Sequence, residues 1–398
     1  MRYIYFKNGD AVAQVHRILG GTVDRSGPDA FISDFLRRHV VDSVLVVCQA
    51  EHSSRYVDGN VCAMALSIGK IRVLHPLMRI VTALRAGWLI ARERPDRIVC
   101  GMGGELLWTA ALAATLLRIP IVCTRHSGLV EREGVGGLYS VLSRVSLRTC
   151  AGVACHGPFL ANQVRDIGIG TDRIFEFEAD LSEFASEPGD SGAPAEFTRF
   201  AGQFQFVVLY AGRIQRNKGV FDVLTAFCTA AAASETEMGL VYAGGGTDLA
   251  GLRGAVNDCS APQRVLLLGH VDHRALPAVM RAATVSVCAT RPPLLEGRCM
   301  AVLESLVVGL PAVAPDFAAF PYAVRHEGNG LLFRPGSIED LGRTLGRLAS
   351  DRVLLDKIRA GAADSGREIK ESRCSFATAV EHAFLAGARR SSLGTAVQ

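Results

Sequence analysis

The sequence predicts an α/β protein with two doubly wound domains, each built around a parallel sheet. In both halves, short continuous apolar runs alternate with helical patterns, which is typical of parallel strands covered by helices on both faces. A polar stretch rich in Gly, Pro, Ser and Ala, at 181–203, interrupts this alternation and predicts a linker. The chain has 398 residues, which is enough for two domains of ordinary size.

The first half alternates strands and helices almost from its first residue. The predicted strands are 2–6, 42–48, 61–66, 97–100, 120–124, 152–155 and 173–177. The predicted helices are 28–39, 74–94, 105–117, 138–149 and 158–167, and residues 7–27 are predicted to form a loop. We therefore assign 1–185 to a first domain and 186–204 to the linker.

The alternation restarts after the linker. The predicted strands are 206–210, 239–243, 265–268, 285–288, 310–314 and 330–333. The predicted helices are 220–231, 249–256, 274–282, 300–308, 338–349, 353–363 and 368–385. We assign 205–367 to a second domain and 368–398 to a final helix with a flexible tail after residue 389.

Composition and charge argue against several classes of protein. A net charge of +4 gives no argument for nucleic-acid binding. The longest uncharged apolar run, 106–117, is too short to span a bilayer, and the first ten residues lack the apolar core of a signal peptide. We expect a cytoplasmic protein, with peripheral attachment to the inner face of a membrane as an open alternative.

The eleven cysteines include no CxxC pair. Four of them fall inside apolar strand-like runs: Cys48, Cys123, Cys155 and Cys288. This pattern predicts buried free thiols in a reducing compartment rather than disulfides or a zinc site.

Two glutamates stand eight positions apart near the end of the second half. Glu304 lies within the apolar helix predicted at 300–308, where an unpaired carboxylate would cost several kcal/mol. Glu296 lies in the loop between that helix and the preceding strand. One interpretation is structural: Glu304 pairs with a neighbour and Glu296 is a solvated loop acid. The other is that both bind a ligand.

A glycine-containing loop follows the strand predicted at 206–210 and leads into a helix. Such a loop, at the carboxyl end of a parallel strand, is a common place for an anion. Arg213 and Lys218, five positions apart, could straddle a pyrophosphate, and a lysine ammonium suits a phosphate as a compact point charge. An ordinary basic loop between a strand and a helix is the alternative.

These segments resemble the donor site of retaining glycosyltransferases of the GT4-like family, also called glycosyltransferase group 1. Residues 291–314 show a Pro-rich loop, Glu-Gly, an apolar helix with a second Glu, and Gly-x-Pro before a strand. The segment YAGRIQRNKGVFDVLTAF is similar to the family's Gly-Arg…Lys-Gly loop and the helix after it. One departure is Arg298-Cys299, where many members have Phe-Gly.

The resemblance implies the GT-B fold: two Rossmann-like domains facing an interdomain cleft, with the last helix crossing back to the first domain. It implies that Glu296 contacts the transferred sugar and that Glu304 holds the ribose hydroxyls of a nucleotide. Arg213 and Lys218 would stabilise the leaving diphosphate, so no divalent metal or other cofactor is expected. The donor would be a nucleoside-diphosphate sugar.

Further donor contacts are implied by the same resemblance. They are assigned to Gly212, Gly244, Gly245, Val271, Gly297, Arg298 and Leu303. For Val271, whose segment would read the base edge through its backbone, a plain strand-end turn is the alternative. A nicotinamide-cofactor site is disfavoured because Leu249 and Leu106 stand where the third glycine of GxGxxG should be.

The resemblance is weaker in the first half. A histidine at the position of His126 would touch the donor sugar, although a hydrogen-bonded structural histidine is the alternative. Gly20 and Gly21 would correspond to the paired glycines near the first strand of the family, but they come later in the chain. Phe177-Glu178-Ala179-Asp180 lacks the Asn-Gly of the family's loop before the linker.

The segment 70–97 is basic and amphipathic. Lysines and arginines outnumber acids seven to two, with apolar residues between them. One interpretation is a core helix with a solvated basic face. The other is a surface that rests on anionic lipid, which would suit a lipid-linked acceptor.

The sequence as a whole predicts a retaining hexosyltransferase that uses a nucleoside-diphosphate sugar and a glycan or lipid-linked acceptor hydroxyl. Cell-surface polysaccharide or glycolipid biosynthesis is the family-level expectation. Two alternatives share the fold: a sugar-nucleotide epimerase or phosphorylase, and a non-catalytic nucleotide-sugar-binding protein. Product analysis without acceptor would separate the first from a transferase.

Overall fold

The computed structural model describes residues 1–21, 29–67, 75–128, 136–182, 184, 192–371 and 374–395, with side chains masked at 75, 76, 136 and 391–395. The chain forms two compact units. Unit 1 contains Met1–Ala179 and Arg373–Gln398, and unit 2 contains Asp180–Ser372. None of the helices in the described ranges is long and apolar enough to cross a bilayer.

Unit 1 is built on an eight-stranded sheet in the order β3-β4-β2-β1-β5-β6-β7-β8. Its strands are β1 (Arg2–Phe6), β2 (Ser43–Ala50), β3 (Ser54–Asp58), β4 (Val61–Ser67), β5 (Arg97–Cys100), β6 (Ile121–Arg125), β7 (Gly152–His156) and β8 (Ile174–Phe177). Its first six helices are α1 (Ala11–Leu19), α2 (Ala30–Arg38), α3 (His75–Glu93), α4 (Glu105–Leu117), α5 (Gly136–Thr149) and α6 (Pro158–Asp166). All strand pairs are parallel except β3 with β4.

The apolar strands of unit 1 are continuous because both faces of the sheet are covered. On β1, Ile4 and Phe6 point into the core on one face, while Tyr3 and Tyr5 point into the core on the other. All four side chains are buried. A strand with water on one face would instead alternate apolar and polar residues.

Unit 2 has a six-stranded parallel sheet in the order β11-β10-β9-β12-β13-β14. Its strands are β9 (Phe206–Ala211), β10 (Met238–Ala243), β11 (Val265–Gly269), β12 (Val285–Val287), β13 (Ala312–Pro315) and β14 (Gly330–Phe333). Its helices are α7 (Ala195–Ala201), α8 (Val220–Ala233), α9 (Leu249–Asn257), α10 (Leu276–Ala282), α11 (Met300–Val307), α12 (Ile338–Ser350) and α13 (Arg352–Lys370). This arrangement brings the loops after β9, β10, β11 and β12 to one edge of the sheet.

The final helix, α14 (Phe376–Thr395), belongs to unit 1. Its apolar residues recur at helical spacing and pack into the core beside the sheet; they are Phe376, Ala379, Val380, Ala383 and Phe384. Glu381 on the same helix accepts two hydrogen bonds from Arg97 Nη1, at 2.8 and 3.0 Å. The prediction that the last helix returns to the first domain is confirmed.

The loop predicted at 7–27 is wrong for most of its described part, because residues 11–19 form helix α1. Asp10 caps this helix by accepting a hydrogen bond from the Ala13 N–H at 3.0 Å, and Val15 is buried against the sheet. Strand β3 was not predicted. It is an edge strand whose residues are mostly exposed, so it lacks a clear apolar signal.

Two predictions near the domain ends also need correction. The stretch predicted as linker contains helix α7, whose Phe197 is fully buried in the core of unit 2. The final helix starts at Phe376 rather than at residue 368, and its backbone continues to Thr395 through the predicted flexible tail. The polar composition of the stretch concealed Phe197 and the partly buried Phe200 and Ala201, which pack α7 against its unit.

A cluster of rings surrounds His126 at the carboxyl end of β6. The ring centroid of His126 lies 4.9 Å from that of Phe31, 5.4 Å from that of Phe177 and 5.7 Å from that of Phe376. Burial among these rings lowers the pKa of His126 to about 4, and the positive charges of Lys7 and Arg125 act in the same direction. His126 is therefore neutral at pH 7.

This low pKa predicts that acid destabilises the protein through His126. Between pH 6.5 and 4 the unfolded histidine binds a proton that the native one does not, so the free energy of unfolding falls as the pH falls. The loss reaches about 3 kcal/mol at pH 4. In His126→Gln, urea titrations over this range should show a shallower decline than wild type.

The matched control is His52→Gln, because His52 is an exposed histidine of the same unit. Its stability should follow the wild-type pH dependence. Equal slopes for wild type and His126→Gln would contradict the assignment of the low pKa to His126.

Candidate active site

The loops after three neighbouring strands of unit 2 are joined by main-chain hydrogen bonds. The Gly212 N–H donates to Ala243 O at 2.9 Å, and the Gly244 N–H donates to Gly269 O at 2.7 Å. A Cβ at Gly244 would lie 1.9 Å from Gly212 O, so only glycine permits this approach. A Cβ at Gly245 would meet no atom within 4 Å, which leaves that backbone facing open space.

The loop after β9 also contacts the loop after β12. The Arg291 N–H donates to Asn217 O at 3.1 Å. Gly219 begins α8 in the left-handed region, with φ of 72°, and a Cβ there would lie 2.0 Å from Ala289 O. Gly219 is required for both reasons, and it brings the two loops into direct contact.

Lys218 and Glu296 form an ion pair between these two loops, Nζ to Oε1. The same Glu296 oxygen accepts a hydrogen bond from Thr290 Oγ1 at 3.1 Å. The Lys218 and Glu296 side chains are only 15% and 22% exposed, respectively. The structure thus brings two of the predicted catalytic residues together, although they are 78 positions apart in sequence.

Arg213 is exposed on the loop after β9. Its carbonyl accepts a hydrogen bond from Tyr210 Oη at 2.9 Å, which fixes the main chain of the loop. No hydrogen bond or ion pair joins its guanidinium to any residue in the described ranges. Arg213 is therefore available to an anion, while Lys218 is held by Glu296.

Glu304 projects from α11 and is only 14% exposed. His273 Nε2 lies 3.5 Å from Glu304 Oε1, and the His273 ring packs on Phe184 at a centroid distance of 4.8 Å. His273 is not among the residues that the sequence predicts at the site. One histidine in a short connection between β11 and α10 gives no pattern that would have revealed this contact.

A second ion pair beside the glycine loop was also missed. Arg291 Nε lies 2.8 Å from Asp222 Oδ2, and Asp222 stands in the first turn of α8. Burial raises the pKa of Asp222, and the charges of Arg291 and Arg216 partly offset this effect. The only sequence signal was an acid at the start of an otherwise apolar helix.

The remaining predicted donor residues differ in how deeply they are buried. Gly297 is buried and Arg298 is half-buried, both in the loop before α11. Val271 is half-buried beside the core formed by α7, α10 and α11. Leu303 is a core residue, 2% exposed, and its N–H donates to Cys299 O at 3.1 Å. The structure therefore gives Leu303 a packing role, which its place in an apolar helix already favoured.

In unit 1, the polar residues Lys7 and His126 follow β1 and β6 at the carboxyl edge of the sheet. Lys7 Nζ donates to Gln14 Oε1 at 2.6 Å, and burial lowers the pKa of Lys7. Gly20 and Gly21 follow α1 rather than β1, and the Gly20 N–H caps that helix by donating to His16 O at 2.9 Å. A ligand role for these two glycines remains a prediction.

Several sequence-based expectations concern cysteines, metals and the basic segment. All eleven cysteines are free, and Cys288, predicted as buried, is partly exposed. Within the described ranges, no group of three or more His, Cys, Asp or Glu side chains could hold a metal ion. Lys70 and Arg72 of the basic segment lie outside the described residues.

Comparison with protein families gives two adjacent matches. Residues 33–176 match the model described as glycosyl transferase 4-like domain, and residues 197–365 match the model described as glycosyl transferases group 1. The first match lies within unit 1 and the second within unit 2.

Three relatives match this chain over different shares of its length. The chain is 26% identical over 309 residues to 2-deoxystreptamine glucosyltransferase of Streptomyces kanamyceticus, covering 71% of this chain and 78% of the relative. It is 25% identical over 371 residues to glycogen synthase of Mycobacterium tuberculosis, covering 88% and 82%. A GDP-mannose-dependent phosphatidylinositol monomannoside mannosyltransferase of the same species is 32% identical over 117 residues, covering 28% and 30%.

Solved structures share the fold. Anabaena HepE in complex with UDP superposes with a TM-score of 0.67 at 16% identity, covering 98% of this chain and 100% of that one. An α,α-trehalose-phosphate synthase (UDP-forming) from Burkholderia vietnamiensis gives a TM-score of 0.70 at 15% identity, covering 98% of both chains. The fold is GT-B, and the chain belongs to the group 1, GT4-like family of glycosyltransferases, which use nucleotide-sugar donors.

Proposed function

We propose that this protein is a retaining glycosyltransferase that moves a hexose from a nucleoside-diphosphate sugar to an acceptor hydroxyl. The observation that supports this most directly is the Lys218–Glu296 pair between the loops after β9 and β12. It places a cation suited to a diphosphate beside a carboxylate suited to sugar hydroxyls. The guanidinium of Arg213, which pairs with no residue in the described part of the chain, supplies a second cation on the first of these loops.

In this proposal the bond between the anomeric carbon and the diphosphate oxygen breaks, and its electron pair leaves with the diphosphate. Arg213 and Lys218 stabilise the negative charge that develops there, so the step needs no divalent metal. The acceptor oxygen bonds to the same face of the anomeric carbon. Its proton passes to the departing phosphate oxygen. Glu296 orients the sugar hydroxyls and does not form a covalent bond.

Glu304 is proposed to accept hydrogen bonds from the two ribose hydroxyls. A carboxylate can accept both, and the partial burial of Glu304 strengthens such bonds by excluding water. His273, 3.5 Å from Glu304, would orient this carboxylate in the absence of donor. His126 is proposed to bind the donor sugar as a neutral imidazole, in keeping with its low pKa.

The acceptor is proposed to be a glycan or lipid-linked molecule, in cell-surface polysaccharide or glycolipid biosynthesis. The outer face of unit 1 supports contact with a membrane. Helix α3 exposes an apolar stripe at helical spacing, formed by Leu77, Ile80, Leu84 and Trp88. The neighbouring helices α4 and α5 expose Leu112, Leu116, Leu138, Val141 and Val145. We call these residues the apolar outer face.

The apolar outer face differs from the solvated basic face that was one interpretation of segment 70–97. Its apolar residues point outward, while smaller residues of α3, such as Ala83 and Ala86, are buried. Arginines accompany the stripe, and the Arg92 guanidinium lies 5.2 Å from the Trp88 ring centroid. Exposed leucines and tryptophan with arginines around them are typical of a surface that rests on anionic lipid.

The donor-site assignment predicts a selective loss of nucleotide binding in Glu304→Ala. In a thermal-shift panel of UDP, GDP and ADP, one diphosphate should raise the melting temperature of the wild type, because it binds only the native state. Removing the charged acceptor should weaken binding by about 1.5–3 kcal/mol, or roughly 10- to 150-fold. At equal nucleotide concentration the shift should then nearly vanish.

The control is Glu339→Ala, which removes an acid of the same unit that is 77% exposed. It should keep the full thermal shift. An undiminished shift in Glu304→Ala would exclude the ribose contact.

Glu296→Gln tests the proposed role in transfer. Because Glu296 is assigned to the sugar and not to the nucleotide, this variant should still bind the nucleoside diphosphate but lose at least about tenfold in transfer rate. Activity is measured as nucleotide release that depends on acceptor, and NMR of the product gives the anomeric configuration. Undiminished transfer would refute the role of Glu296, and an inverted product would refute retention.

The apolar outer face predicts flotation with vesicles that contain anionic lipid. The double variant Leu84→Ser/Trp88→Ser should float at least about tenfold less, because two buried apolar contacts of about 1.5–3 kcal/mol each are lost. Val41→Ser, at a position of unit 1 that is 82% exposed and outside this face, should float as the wild type does. Equal recovery from neutral and anionic vesicles would argue against the anionic surface.

A further inference from the structure

A cavity of about 750 Å³ lies in unit 1, at the edge of the sheet opposite the carboxyl ends of the strands. Its lining residues come just before or at the start of the parallel strands. Arg97 begins β5, Pro120 precedes β6, Ala151 precedes β7 and Arg173 precedes β8. Helix α14 closes one side with Gly387, Ala388 and Arg390. The cavity therefore shares no residue with the predicted donor site.

Among the described residues, five arginines and no aspartate or glutamate line this cavity; the arginines are Arg97, Arg118, Arg148, Arg173 and Arg390. Two of them have acidic partners outside the lining: Arg97 pairs with Glu381 at 2.8 Å and Arg390 pairs with Asp172 at 3.0 Å. The other three positive charges have no acid paired with them in the part of the chain that the structure describes.

The three arginines without an acidic partner among the described residues differ in the hydrogen bonds that their guanidinium groups make. Arg173 donates to the carbonyl oxygens of Arg148, at 2.7 Å, and of Cys150, which end α5. Its Nε is buried without a hydrogen-bond partner. The guanidinium groups of Arg118 and Arg148 make no hydrogen bond or ion pair with any described residue. The hydrogen bonds of Arg173 give it a structural role. Arg118 and Arg148 make no such bonds with the described residues.

Arg118 also occupies an uncommon place for an arginine. It ends α4 in the left-handed region, with φ of 57°, where glycine or asparagine is usual. This backbone leaves its side chain at the cavity. The concentration of like charges around the cavity is unfavourable, and an anion with several oxygens would relieve it.

We propose that this cavity is a second anion site, which binds a ligand with a phosphate group through Arg118 and Arg148. A guanidinium group can donate two hydrogen bonds to one phosphate, and two guanidinium groups can share one phosphomonoester. The phosphate belongs either to a soluble phosphorylated compound or to the headgroup of an anionic lipid. The ligand would link the ends of α4 and α5 across the cavity.

The test uses the full chain and two probes: glycerol 3-phosphate in calorimetry, and phosphatidylcholine vesicles with and without phosphatidic acid in flotation. Wild type should bind at least one probe that contains the phosphomonoester. Arg118→Ser/Arg148→Ser should weaken that binding at least tenfold. Binding of glycerol 3-phosphate identifies a soluble ligand as the source. Because the apolar outer face is itself expected to bind anionic vesicles, a lipid headgroup is identified only by flotation with phosphatidic acid vesicles that Arg118→Ser/Arg148→Ser loses, without binding of glycerol 3-phosphate.

Two control variants make the result specific. Arg37→Ser/Arg38→Ser removes two exposed arginines at the end of α2 and changes the net charge of unit 1 equally, so it should bind both probes as the wild type does. Arg343→Ser removes an arginine of unit 2 that is 64% exposed and should also leave the binding intact. Loss of binding in either control, or a wild type that binds neither probe, would overturn the proposal.

Both double variants replace exposed arginines, so their melting temperatures without ligand should equal that of the wild type within a few degrees. If Arg118→Ser/Arg148→Ser fails this check, the single variants Arg118→Ser and Arg148→Ser replace it in the binding experiments. Each should then weaken binding of the phosphate probe at least threefold. Unchanged binding in both single variants would also overturn the proposal.

Discussion

The donor site depends on the ion pair between Lys218 and Glu296. These side chains lie on loops that follow β9 and β12, which are neighbours in the sheet of unit 2. Both are largely buried, so either charge without the other would be costly to desolvate. The close approach of Gly219 to Ala289 makes the pair possible, because any larger residue would separate the loops. Sheet order and one glycine therefore fix the spacing between a cation and a carboxylate.

Main-chain hydrogen bonds fix the geometry of the other loops at this edge of unit 2. The glycines after β9, β10 and β11 join their loops through backbone hydrogen bonds, so the loops form one continuous surface. Side chains that could bind a ligand then project from a rigid support, which favours a defined geometry for Arg213. The departure at Arg298-Cys299 falls in the loop before α11 and leaves this support unchanged.

Unit 1 places a histidine, a group of arginines and an apolar stripe in three different surroundings. At the carboxyl edge, aromatic rings exclude water around His126 and keep it neutral. At the opposite edge, arginines gather around a cavity whose described lining contains no acid. On the outside, α3 exposes an apolar stripe that includes Trp88, while its inner side buries Leu89 and Ile90. The first two features join residues distant in sequence, which the sheet and α14 bring together, whereas the stripe belongs to one helix.

The sequence by itself determined the two doubly wound sheets and most helix bounds, because apolar periodicity is a property of short segments. Local motifs also singled out Glu296, Glu304, Arg213 and Lys218 as candidate donor residues, without showing which of them touch. The sequence did not reveal α1, α7 or the contact between His273 and Glu304. Those depend on burial against other elements, which local pattern does not record. The tertiary structure alone decided which residues share a surface: the Lys218–Glu296 pair and the arginine cavity each join segments distant in sequence.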